Sequence, residues 1–125
     1  MLGYIQITQL ICFALLMSLG QILFKKTALS ISSKFEGNQA PNLIEGLTSA
    51  MTLPWLYLAL TVYAFATVFW LYILQRMPLS LAYPFSALAM VIVPIVSIVI
   101  FKEQLQSNYW LGSACIILGV IIISK

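Results

Sequence analysis

Histidine and aspartate are missing from these 125 residues, and charge is scarce: six lysines and arginines against three glutamates. With no histidine, no aspartate and no serine or cysteine beside a plausible base, acid–base and nucleophilic chemistry have little to run on. The sequence therefore does not read as an enzyme. Cys12 and Cys115, the only cysteines, each sit in an apolar run and read as small buried residues, neither a disulfide nor a metal pair. No metal site is expected. A glycine-rich phosphate loop is also absent, so no nucleotide or other cofactor is expected. The net charge of +3 is small and tied to helix ends, which excludes nucleic acid as a natural partner. The first apolar stretch lacks a basic start and is long enough to span, so it reads as a retained helix and not as a cleaved signal.

What is there is grease. Hydrophobic residues make up 62% of the chain and charged residues 7%, where a soluble domain carries roughly 25% charged. This is the composition of an integral membrane protein. Four apolar stretches stand out, at about 2–24, 55–74, 79–101 and 109–124. About 20 helical residues cross the ~30 Å hydrocarbon core, and lipid tolerates no unpaired backbone. The expectation is an all-α polytopic protein, a single domain over 1–125 with four transmembrane helices. Trp55, Tyr57, Tyr109 and Trp110 flank spans, where aromatic residues gather at the interface.

The segment 25–54 reads as the one long loop. It contains the polar "SISSKFEGNQAPN" and then "LIEGLTSAM", which has the look of a short helix on the membrane surface. The links "QRMPLS" and "KEQLQSN" are tight and make their helices antiparallel neighbours. Lys25, Lys26, Lys34 and Lys102 fall on one side; Arg76 and Lys125 fall on the other with the terminal amine. The positive-inside bias puts the long loop in the cytoplasm, by a margin small enough to allow dual insertion.

Polar and small residues recur in stripes. Ala14, Ser18, Gln21 and Lys25 share one face of span one. Tyr63, Thr67 and Trp70 share a face of span two, and Tyr83, Ala87, Met90, Pro94 and Ser97 a face of span three. The three stripes could line a common cavity, or they could pack helix on helix, where small and weakly polar residues are favoured. Gln21 points more firmly to function, because an amide at membrane depth needs partners for both donor and acceptor. Pro84 and Pro94 each remove a backbone donor and free a carbonyl. They read as bends of span three, with the freed carbonyls either facing a cavity or absorbed in packing. Gly112 and Gly119 lie seven apart on one face of the last span, a spacing that suits close approach of another helix, in a dimer or within the monomer. Lys25 has two readings: an anchor that snorkels or pairs with Glu103 on the same side, or a grip on an anionic substrate. Lys26 is the better anchor.

The run "WLYILQRMPLSLAYP" (Trp70 to Pro84), followed by "KEQLQSNYWLGSACIILGVIII", resembles the drug/metabolite transporter superfamily, in its four-span, small multidrug resistance-like form. Within it the likeness extends to the small subunits of flippases for aminoarabinose-phosphoundecaprenol. Gly20, Gln21 and Lys25 match their G-Q-x-x-x-K element, and Glu103, Trp110 and Gly112 their E…W-x-G ending. One departure stands out. The membrane-embedded glutamate of the proton-coupled exporters falls here on Met17. With no acid in any span, proton/cation exchange has no residue to run on.

The resemblance implies a translocase of an undecaprenyl-phosphate-linked sugar in the bacterial inner membrane, working as a homodimer or a heterodimer with a similar subunit among membrane lipids. A lipid-linked headgroup needs a cation for phosphate, amides and hydroxyls for the sugar and aromatics for its apolar faces. Lys25, Gln21, Ser18, Tyr63, Trp70, Tyr83 and Ser86 supply those types. Two other readings stay open: a small-metabolite or cation transporter, and an accessory subunit that binds no substrate.

Overall fold

The computed structural model describes residues 3–35 and 42–125. Glu36 and the middle of the long polar segment lie outside them. The described residues form six helices: α1 (Tyr4–Lys34), α2 (Leu43–Met51), α3 (Pro54–Leu74), α4 (Leu79–Ser86), α5 (Ala89–Phe101) and α6 (Ser107–Ser124). Four segments are long and apolar enough to cross a membrane: α1, α3, α4 with α5, and α6. Their outward faces carry large exposed apolar side chains, among them Leu15, Phe65, Val99 and Ile122, as lipid requires.

Two boundaries differ from the sequence reading. The polar segment after Phe24 is helical as far as Lys34. Hydropathy marks where the hydrocarbon ends, and a helix need not end there. The 31 residues of α1 measure about 46 Å, well beyond the ~30 Å core. Thr27, Ser30 and Ser32 do not break the extension, because each hydroxyl donates to the carbonyl four residues earlier. Span three, in turn, is two helices. Pro84 lacks the N–H that would bond Ser80, and the backbone beyond it tightens: Ala87 N–H donates to Pro84 O and Leu88 N–H to Phe85 O. The break falls at Ala87 and Leu88.

α2 starts at Asn42, whose N–H donates to the Glu45 carboxylate at 3.3 Å, half of a capping box. Leu43, Ile44, Leu47 and Met51 are exposed and share one helix face. Lys34 Nζ donates to Thr52 Oγ1 at 3.2 Å, which ties the end of α1 to the end of α2.

Packing is uneven along the membrane normal. α1 lies along α3 and touches α4 and α5, while α6 meets α4 and α5 over short stretches. The buried core gathers Leu10, Phe13, Ala66, Ile73, Met77, Ala82, Phe85 and Val120. These come from the first half of α1, the second half of α3, the α3–α4 link, α4 and the end of α6, so they lie toward the side that carries the chain termini. Small residues let α1 and α3 approach: Ala14, Ala59 and Ala66 are almost fully buried. At Gly20 the Tyr63 ring takes the place of a side chain; a Cβ there would meet it at 2.8 Å.

Candidate substrate groove

Toward the other side the helices part. α6 enters apart from α1 and α5 and leaves an open groove of about 960 Å³. Its walls are Met90, Val93 and Pro94 of α5 and Gly112, Ser113 and Ile116 of α6. Gln21 reaches it from α1, and Gln104, Gln106, Asn108 and Tyr109 bound its mouth. The composition is graded: apolar walls at depth, amides at the mouth.

One strut spans the groove. Tyr109 Oη donates to the Met90 carbonyl. Met90 lies four residues before Pro94, so this is the carbonyl that the proline deprives of its helical partner. Of the two routes open to that freed carbonyl, the protein takes the internal one, and α6 supplies the donor.

An ion pair stands at the rim. Lys25 Nζ lies 3.2 Å from Glu103 Oε1, with side chains 46% and 39% exposed. Lys25 is one turn beyond Gln21 on α1, and Glu103 immediately precedes Gln104, so the pair stands beside the groove's polar end without lining it. Lys102 makes this possible by ending α5 in the left-handed conformation at φ 54°. The chain turns sharply there, and Glu103 N–H donates back to Ser97 O at 3.5 Å. Lys26 is engaged elsewhere, 4.6 Å from the centre of the Trp55 ring.

The three sequence stripes do not converge on one cavity. Gln21, Met90 and Pro94 line the groove, with Lys25 and Glu103 at its rim. Trp70 instead stacks on Phe13, centroids 4.5 Å apart, against the core. Tyr63 stacks on Phe24 at 4.9 Å. Ser18, Thr67 and Ser97 each donate to a carbonyl one turn back, the arrangement favoured by helix packing. Ser86 does the same toward Tyr83 O, and Tyr83 itself is 65% exposed. Met17 packs against the core. A Cβ at Gly112 or Gly119 would meet nothing within 4 Å, so neither is closely packed within the single chain.

The sequence reading missed Gln104, Gln106, Asn108 and Ser113 as lining residues. A signal was present: three amides at alternate positions in "EQLQSN" are more than a tight link between spans requires.

Four membrane-crossing segments around an open groove suit a small membrane transporter. The chain belongs to the EamA-like transporter family, which it matches over residues 7–125, within the drug/metabolite transporter superfamily. It is 30% identical over 115 residues to a probable 4-amino-4-deoxy-L-arabinose-phosphoundecaprenol flippase subunit ArnE of Proteus mirabilis, covering 92% of this chain and 93% of that one. A protein of the same description from Salmonella newport is 37% identical over 108 residues, 86% of this chain and 97% of the other. A third, from Aeromonas salmonicida, is 39% identical over a shorter stretch of 70 residues, 56% and 61% of the two chains. No solved structure matches.

Proposed function

We propose that this protein is one subunit of a translocase that carries an undecaprenyl-phosphate-linked sugar across the bacterial inner membrane. The observation that carries the reading is the graded groove with Lys25 at its polar rim. Such a cargo is half headgroup and half hydrocarbon. On this reading the groove opens to lipid along its flank, so that the tail stays in the hydrocarbon while the head moves past Met90, Val93, Pro94 and Ile116, which carry no charge. The lysine takes the phosphate as a point charge. Gln21 reads the headgroup beside it. Relatives bearing flippase-subunit names along most of their length support the same reading. Proton-coupled cation export lacks its acid, since Met17 is part of the apolar packing.

The subunit works beside a second small subunit. Gly112 and Gly119 lie about 100° round α6 from the buried Ser113 and Val120. They mark the edge between the groove and the lipid-facing side, where a partner helix seats without clash. The long segment 25–54 faces the cytoplasm.

The test is a leaflet assay. The protein is reconstituted with a similar small subunit into liposomes containing an undecaprenyl-phosphate-linked amino sugar, and an impermeant amine reagent is added outside. Labelling that rises beyond the outer leaflet's own share, and falls back with Lys25→Ala, is the expected result. Labelling that never exceeds that share with both subunits present would refute translocation.

A further inference from the structure

We propose that Ser113, with the amides of Gln104, Gln106 and Asn108, forms a hydroxyl-reading subsite, so that the last span is a ligand-binding helix and not only a packing one. This rests on the translocase reading and adds to it which atoms meet the sugar.

Four serine or threonine side chains are buried among the described residues: Ser18, Thr27, Ser97 and Ser113. The first three donate to a carbonyl one turn back, to Ala14, Leu23 and Pro94, at 2.7–2.9 Å. Ser113 does not. It is 5% exposed, its Oγ has no hydrogen-bond partner, and the residue lines the groove. A buried hydroxyl left unpaired is costly. A ligand group in the groove offsets that cost.

The ligand's chemistry follows from the lining. Phosphate oxygens only accept hydrogen bonds, so the carbonyl half of an amide is useless to them. Sugar hydroxyls both donate and accept, as primary amides and serine do. Gln104, Gln106 and Asn108 bring three such amides to the mouth, with Ser113 deeper on α6. None of the three side chains has a hydrogen-bond partner among the described residues, while Tyr109, the other hydroxyl on this wall, is spent on Met90. Lys25 stands at the rim, outside this set. Phosphate and sugar are thus read by different groups: the phosphate by the cation on α1, and the sugar by neutral two-way groups on the α5–α6 link and α6, with Gln21 of α1 between the two.

The experiment is a competition between two lipids, undecaprenyl phosphate bare and the same lipid carrying a pentose, for the purified protein together with the similar small subunit in nanodiscs. Wild type is expected to prefer the glycosylated lipid. Ser113→Ala removes one buried, unpaired oxygen, and it should cut that preference about fivefold while leaving affinity for the bare lipid unchanged. Gln104→Ala, at an exposed position that folding does not need, should act in the same direction. A preference unchanged in both variants would overturn the subsite and leave the translocase standing. Equal loss for both lipids would overturn it too, by making Ser113 structural. If wild type takes up neither lipid, the translocase reading falls, and the subsite with it.

Discussion

Lys25 and Glu103 hold each other at the rim with both side chains substantially in solvent, so the pair adds little to stability, about 0–1 kcal/mol. On the proposed function its significance is competition. A phosphate approaching Lys25 must displace a carboxylate. Glu103→Gln should therefore leave thermal stability nearly unchanged and tighten binding of bare undecaprenyl phosphate several-fold, whereas Lys25→Ala should abolish it; weaker binding by Glu103→Gln would place the carboxylate among the ligands. Gly20 gives a stability test. Its Cβ would meet the Tyr63 ring at 2.8 Å, and Tyr63 is stacked on Phe24, so the ring has little room to yield. Gly20→Ala should cost about 1–3 kcal/mol in detergent unfolding, and Gly112→Ala, with nothing near, should cost nothing. At this scale the sequence was legible where chemistry was unusual. Gln21 and Lys25 stood out as polar groups at membrane depth. Trp70 and Tyr63 did not declare themselves, because an aromatic on a stripe packs as readily as it binds. Their partners, Phe13 and Phe24, lie far away in the chain. Ser113 was illegible because back-bonding is a choice of rotamer, invisible in a string of letters.

Elements show how a proline becomes a joint between helices. Pro94 frees the Met90 carbonyl, and Tyr109 fills it from α6, across an interface where α5 and α6 otherwise touch little. Alone, Tyr109→Phe should lower stability by about 1 kcal/mol. In a Pro94→Ala background the helix satisfies Met90 by itself, and the same change should cost much less. Strict additivity in this double-mutant cycle would show that the two residues are independent. Tyr109 was predicted only as part of an aromatic belt; its hydroxyl's target depends on how α6 crosses α5, which one span cannot reveal. The number and kind of spans were legible, since 20 apolar residues have few alternatives. The ends of α1 and the break in span three were not. Hydropathy reports solvent, while α1 runs on through hydroxyls that back-bond within it, and the break is set by Pro84 and the tight turns after it.

The whole molecule is closed at one end and open at the other. The core of Phe13, Ala66, Ile73, Ala82 and Phe85 seals the side of the termini, and the groove opens toward the side of Lys25 and Lys102. The break at Ala87 and Leu88 lies where sealed half meets open half. On the proposed function, with the lysine-rich side in the cytoplasm, this is the arrangement of a cytoplasm-open state. Asn108→Cys at the groove mouth and Ser33→Cys on the projecting end of α1 should both react with an impermeant maleimide in inside-out vesicles and neither in intact cells; the reverse pattern would invert the assignment. None of this asymmetry could be read from the sequence, because it depends on which ends of the spans converge. The measurement that bears most directly on function is native mass spectrometry of the purified protein, wild type beside Lys25→Ala, offered equal amounts of a glycosylated phosphoundecaprenol and phosphatidylglycerol. Selective retention of the glycolipid by wild type and its loss in Lys25→Ala is the expected result. Phosphatidylglycerol carried equally well by both proteins, with no preference for the glycolipid, would contradict a groove built for that headgroup.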